Sequence, residues 1–124
     1  MSDYDDGMKV RREVLGDEQV DRALERTTEL TAPFQELITR FAWGAIWTRD
    51  GLDRRTRSAI TIGILTALGR EQELAMHVRA GLRNGLTREE IGEVLLHSAV
   101  YAGFPAANSA FQVAQRVLDE PTPR

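Results

Sequence analysis

Apolar residues recur along most of the chain at intervals of three and four, the spacing of one face of an α-helix. The pattern is strongest in residues 56–77, where Ile60, Ile64 and Leu68 follow one another at intervals of four. Small side chains lie beside them, so we expect a buried central helix in close contact with its neighbours. Gly69 is expected to end this helix because glycine readily adopts the conformation of a C-terminal cap.

Caps and chain breaks predict the other helices. Thr31-Ala32-Pro33 favours a helix start, and Thr87 with Glu90 matches a capping box. Asn84-Gly85 and Gly103-Phe104-Pro105 are helix stops. The predicted helices cover roughly 17–30, 32–47, 54–68, 71–84, 88–102 and 105–120.

No segment alternates apolar and polar residues between turn signals, so no strand is predicted. The expected fold class is all-α, with about six helices. At 124 residues the chain is expected to be a single domain, 1–124. Residues 1–8 are polar and acidic and are expected to be frayed.

Composition excludes several classes of function. The chain has 16 Lys and Arg against 19 Asp and Glu, so a formal charge of −3 provides no basic field for nucleic acid or an anionic membrane. Cysteine is absent, which removes disulfides and thiolate chemistry. No apolar run approaches the length of a membrane helix or a secretion signal, so a cytoplasmic protein is expected.

Glu73 and His77 are the first candidates for catalysis. They lie four residues apart on one predicted helix, where a carboxylate can orient an imidazole and raise its basicity. An ordinary surface pair or a structural histidine would have the same spacing, and that alternative stays open.

A second set of polar residues lies on the next helix. Glu93, His97 and Tyr101 share one face and could line a pocket, or could equally form a solvated face. Two histidines near carboxylates raise the question of a metal site, but no HExxH or ExxH pair occurs, so no metal is expected.

Arginines flank the same region and could bind a dicarboxylate through paired hydrogen bonds. Arg70, next to Gly69, and Arg57, on the central helix, are the preferred candidates for substrate binding. The aromatic residues Trp43, Trp47 and Phe104 are expected mainly to pack in the core, and Trp43 is also a candidate for substrate contact.

Three stretches, GREQEL with His77, NGLTREEI and YAGFPAANSAF, resemble the carboxymuconolactone decarboxylase family of the alkylhydroperoxidase D-like superfamily. The resemblance covers about residues 10–120. Redox members of that superfamily carry a glutamate, a CxxC pair and a histidine, and the matching positions here are Ser58, Arg70, Glu73 and His77. Only the histidine matches, so thiol peroxidase chemistry is excluded.

The resemblance implies a cofactor-free enzyme that converts 4-carboxymuconolactone to β-ketoadipate enol-lactone and CO2 in the protocatechuate branch of the β-ketoadipate pathway. It also implies an all-helical homo-oligomer, commonly a hexamer. In that reaction His77, oriented by Glu73, would supply a proton, and Arg70 or Arg57 would bind a carboxylate. Ser58, Tyr101 or His97 would donate a hydrogen bond to the oxyanion.

Two alternatives remain. The same scaffold could act on another lactone or keto acid, or it could be a non-catalytic oligomeric binding subunit. In the second case Glu73 and His77 would have ordinary pKa values.

Overall fold

The computed structural model describes residues 3–121, all of whose regular structure is helical. The chain divides into two compact units, one up to Arg54 and one from Arg55 onward. The first unit contains helices α1 (Asp3–Leu15), α2 (Asp17–Glu25) and α3 (Ala32–Ile38), and α3 continues as a π-helical segment, Thr39–Ile46. From the unit boundary onward follow α4 (Arg54–Leu68), α5 (Glu71–Arg83), α6 (Arg88–Ala102) and α7 (Phe104–Leu118).

The all-α class is confirmed for the described residues, which form seven α-helices rather than about six. The additional helix is α1. It includes residues 3–8, which were expected to be frayed. These residues are ordered because Gly7 is buried and α1 packs along the π-helical segment. Met1 and Ser2 lie outside the described residues. The single-domain organisation stays a prediction.

Close backbone approach explains how α1 is held. A Cβ atom on Gly7 would overlap the carbonyl oxygen of Thr39 and would lie 2.9 Å from the backbone nitrogen of Gly44. The absence of a side chain at Gly7 therefore lets two helical backbones meet. Val10 and Val14 of α1 are buried in the same unit.

In the second unit, α7 packs against both α5 and α6. The predicted capping box at the start of α6 is confirmed, with Thr87 Oγ1 accepting from the Glu90 amide at 3.0 Å and Glu90 Oε1 accepting from the Thr87 amide at 2.9 Å. The predicted stops at Gly69 and Gly85 are also confirmed, since both have positive φ. The core of this unit comprises Ile62, Leu74, Val78, Leu86, Ile91, Leu95, Ala110, Val113, Ala114 and Val117.

The prediction for the buried face of α4 was wrong. Ile60, Ile64 and Leu68 are 46, 53 and 65% exposed. The residues two positions before each of them are buried instead. A two-residue offset turns a side chain by about 200°, to the opposite side of the helix. The buried stripe is Ser58, Ile62 and Thr66.

The two hydroxyls in this buried stripe are compatible with a core position because their polar atoms have partners. Thr66 Oγ1 donates to the carbonyl of Ile62 at 2.8 Å, and Ser58 Oγ accepts from the side-chain amide of Asn84 at 3.1 Å. The apolar pattern alone selected the wrong face because it could not anticipate these bonds.

The aromatic residues also depart from expectation in part. Trp43 is buried, as predicted, and Phe104 is 80% exposed, contrary to prediction. The apolar side of the second predicted helix, 32–47, is mostly exposed as well, at Phe34, Leu37, Phe41 and Ile46. Within residues 3–121, no helix is both long enough and apolar enough to span a membrane.

Candidate active site

The buried face of α5 carries His77. Leu74 and Val78 of the same helix belong to the core. His77 lies three residues after Leu74 and directly before Val78. Helical spacing therefore turns the imidazole inward, and His77 is only 8% exposed. Glu73, one turn earlier, is exposed.

Burial lowers the pKa of His77 from 6.5 to about 4, and the charge of Glu73 opposes this shift without overcoming it. The direction is opposite to the sequence-based expectation of a more basic imidazole. Desolvation disfavours the imidazolium more than one exposed carboxylate favours it. His77 is therefore neutral near pH 7 in the free chain.

Ser58 is fully buried on α4, where its hydroxyl accepts the hydrogen bond from Asn84 Nδ2. A serine hydroxyl accepts and donates at the same time, so the O–H of Ser58 remains a donor. The contact of Asn84 with Ser58 was not anticipated, since the Asn-Gly pair indicated only a helix end. No sequence signal connects positions 58 and 84, which are 26 residues apart.

Several arginines are already bound to carboxylates. Arg54 pairs with Glu13 at 3.0 Å, Arg55 pairs with Glu90, and Arg79 binds Glu120 through two hydrogen bonds of 2.7 and 2.8 Å. These three arginines therefore already have carboxylate partners.

Arg70 and Arg57 remain the candidates for substrate binding. Arg70 is exposed at the N-cap of α5, the helix that carries His77. Arg57 is half-buried on α4, one residue before Ser58. Arg70 therefore lies at the start of the helix that carries His77, and Arg57 lies on the helix that carries Ser58.

His97 and Tyr101 are brought together on α6, with ring centroids 5.3 Å apart. Both are exposed, Tyr101 by 81%, and Glu93 on the same helix is exposed as well. This pair faces solvent in the single chain, unlike the buried His77.

Trp43 belongs to the first unit. It is 5% exposed in the π-helical segment and packs against Trp47 with ring centroids 5.1 Å apart. Its packing role agrees with the prediction, and contact between Trp43 and a substrate stays a prediction.

Known proteins resemble this chain over most of its length. Residues 32–116 match the model of the carboxymuconolactone decarboxylase family. The chain is 50% identical over 117 residues to 4-carboxymuconolactone decarboxylase of Acinetobacter baylyi, covering 94% of this chain and 87% of the relative. It is 45% identical to nitrosuccinic acid decarboxylase of Metarhizium robertsii, covering 94% and 82%. The chain is also 58% identical over 41 residues to a 4-carboxymuconolactone decarboxylase sequence from Pseudomonas putida. That match covers 33% of this chain and 85% of the relative. The chain therefore belongs to the carboxymuconolactone decarboxylase family.

Proposed function

We propose that this protein decarboxylates 4-carboxymuconolactone to β-ketoadipate enol-lactone and CO2, as a step of the protocatechuate branch of the β-ketoadipate pathway. The strongest support is the 50% identity over 94% of the chain to a decarboxylase of that substrate. The perturbed pKa of the buried His77 favours an enzyme over a non-catalytic binding subunit, for which an ordinary pKa was expected.

The substrate supplies its own electron sink. When the bond between the ring and the carboxylate breaks, its electron pair passes through the ring double bond to the lactone carbonyl, and CO2 leaves. The resulting dienolate carries its charge on the lactone oxygen and takes up one proton at the ring carbon next to the carbonyl. The protein therefore has to bind the retained carboxylate, stabilise the oxyanion and deliver a proton.

His77 delivers the proton in this proposal. The imidazole is neutral in the free chain, and the arrival of a substrate with two carboxylates raises its pKa because nearby negative charge favours the imidazolium. Glu73, four residues earlier, acts in the same direction. Proton uptake on substrate binding then prepares the acid that the dienolate needs.

Arg70 or Arg57 binds the retained carboxymethyl group, because a guanidinium grips a carboxylate through parallel hydrogen bonds. Ser58 is the preferred donor to the oxyanion. Its hydroxyl is buried, where a hydrogen bond to a developing charge is stronger than in water, and Asn84 holds it in place. Tyr101 and His97 are the alternative donors, and their exposure in the single chain makes them less favourable.

A second candidate substrate is nitrosuccinic acid, because the chain is 45% identical over 94% of its length to a decarboxylase of that compound. Nitrosuccinic acid also carries a carboxylate and a carboxymethyl group on one carbon. Its nitro group takes the electron pair as a nitronate, the counterpart of the lactone dienolate. The two substrates thus place the same demands on the site.

The protein is also proposed to be a homo-oligomer with the alkylhydroperoxidase D-like fold, hexameric as the family resemblance implies. Support comes from apolar side chains that a single chain leaves in water, including Ile60, Ile64 and Leu68 on α4 and Val100 and Phe104 at the end of α6 and the start of α7. Monomeric proteins rarely expose large apolar patches, whereas subunit interfaces bury them.

The experiment mixes chelator-treated protein with 4-carboxymuconolactone and, in parallel, with nitrosuccinic acid, and follows CO2 and product by NMR. We expect rapid turnover of the lactone without metal. His77→Gln is expected to reduce turnover by roughly 10²- to 10⁴-fold, the usual contribution of an acid or base. Absence of turnover with both substrates in folded protein would overturn the proposed function.

His97→Gln is the matched variant for the second histidine. It is expected to keep most of the activity because His97 is exposed, whereas His77 is buried. Near wild-type turnover by His77→Gln would reject His77 as the acid while leaving the decarboxylase assignment intact.

A further inference from the structure

Ser58 makes a different hydrogen bond from the other buried hydroxyls. Thr39, Ser58 and Thr66 are the buried hydroxyl side chains of residues 3–121. Thr39 Oγ1 and Thr66 Oγ1 each donate to the backbone carbonyl four residues earlier at 2.8 Å, a common bond for a hydroxyl inside a helix. Ser58 Oγ instead accepts from Asn84 Nδ2 at 3.1 Å. The proton of Ser58 is therefore not used by its own helix.

Asn84 is held at the C-cap of α5 by a closed helix end. The Leu86 amide donates to the Gly81 carbonyl at 2.9 Å, and the amide of Gly85 donates to the carbonyl of Leu82 at 3.2 Å. These two bonds and the φ of 105° at Gly85 are typical of a glycine-terminated helix. The side chain of Asn84 therefore starts from a fixed backbone position.

Packing of α4 on α5 fixes the other end of the bond. The two helices approach closely at Gly81, where an added Cβ would lie 3.2 Å from Ile62 Cδ1. Ser58 lies one turn before Ile62 on α4. Asn84 lies one turn after Gly81 at the end of α5. The separation of Ser58 from Asn84 is therefore set by the contact between the helices.

The direction of this bond decides what the Ser58 hydroxyl can do. An amide NH2 group only donates, so the Ser58 oxygen accepts and its single proton points away from Asn84. Without this donor the hydroxyl would turn to the carbonyl four residues earlier, as that of Thr66 does. An oxyanion is stabilised best by a donor that already points at it, because reorientation during the reaction costs free energy.

We propose that Asn84 is a positioning residue for the decarboxylation, because its bond to Ser58 Oγ keeps the Ser58 proton for the oxyanion of the substrate. This inference rests on the proposed function, in which Ser58 is the donor to the oxyanion. Asn84 contacts Ser58 and not the reacting atoms, so its effect on turnover passes through Ser58.

Asn84→Asp tests the direction of the bond. The carboxylate has nearly the shape of the amide but only accepts, so Ser58 donates to it and loses the proton that the oxyanion needs. With 4-carboxymuconolactone as substrate, we expect kcat to fall by roughly 10²- to 10³-fold in Asn84→Asp and in Ser58→Ala, as on removing one oxyanion donor. KM is expected to change much less, because the lost interaction forms in the transition state.

Thr66→Val is the matched control. It removes a second buried hydroxyl from the same stripe of α4. Because Thr66 donates to the carbonyl of Ile62 within its own helix, this variant should keep most of the wild-type kcat.

The double variant Ser58→Ala/Asn84→Asp distinguishes positioning from a general structural role. If Asn84 acts through Ser58, the double variant is no slower than Ser58→Ala alone. Losses that multiply would overturn the proposal, since Asn84 would then act independently of Ser58. Near wild-type kcat in either single variant would overturn it as well.

Asn84→Ala covers the case in which Asn84→Asp does not fold. It removes the donor without adding a charge, so the Ser58 hydroxyl turns to its own helix and kcat is expected to fall about tenfold. Full activity of Asn84→Ala, measured beside an active unmodified protein, would reject this inference and leave the decarboxylase assignment intact. Absence of turnover by the unmodified protein would reject the proposed function and this inference with it.

Discussion

His77 lies on the face of α5 that carries Leu74 and Val78 into the core of the second unit. The spacing of Glu73 and His77 was read directly from the sequence, and the two do interact electrostatically. The sequence could not show that desolvation outweighs this interaction, because burial depends on how α5 packs. The protonation state of the site is therefore a property of the folded unit.

The pKa of His77 predicts acid sensitivity. Its folded pKa, about 4, lies below the ordinary 6.5, so the unfolded chain binds a proton that the folded chain does not, and stability falls as pH decreases through that window. The expected loss is about 3 kcal/mol. Urea denaturation at a series of pH values should show that His77→Gln loses this dependence and that His97→Gln keeps it. An unchanged pH dependence in His77→Gln would contradict the assignment.

Among the helices, those with capping or stop signals were placed best. The capping box of α6 and the glycine stops after α4 and α5 depend on local hydrogen bonds and φ values, which a few neighbouring residues determine. Helix α1 and the π-helical segment were not anticipated. They exist together because Gly7 admits the backbone of Thr39–Ile46, a contact between distant parts of the sequence.

Substitution of Gly7 tests this contact. Gly7→Ala places a methyl group against backbone atoms of the π-helical segment and is expected to destabilise the protein by about 2 kcal/mol in denaturant unfolding. Gly92→Ala is the matched control, because Gly92 lies in α6 with nothing within 4 Å of an added Cβ. It is expected to stabilise by about 1 kcal/mol through helix propensity. A neutral Gly7→Ala would show that the two elements are not in close contact.

At the scale of the whole molecule, the sequence-based prediction was wrong mainly about which face of α4 is buried. Ile60, Ile64 and Leu68 were assigned to the core, and the single chain exposes them. Hydrophobic periodicity shows that a face avoids water without showing what covers it. In the proposed homo-oligomer, a second copy of the chain covers this face.

Ile64→Glu tests the assembly. A charge in the middle of an apolar interface is expected to shift the protein toward smaller species in light scattering coupled to size-exclusion chromatography. Gln112→Glu adds the same charge at an exposed polar position of α7 and should leave the mass unchanged. A monomeric unmodified protein, or an Ile64→Glu variant with unchanged mass, would reject this interface.

The amino-acid sequence was sufficient for the helical class, most helix ends, the spacing of Glu73 and His77, and the family, because these depend on local patterns and motifs. Tertiary structure decided which face of α4 is buried, the neutral state of His77, and the bond between Ser58 and Asn84. Each of these depends on burial or on partners distant in sequence, and desolvation of a group is determined only when the chain has packed around it.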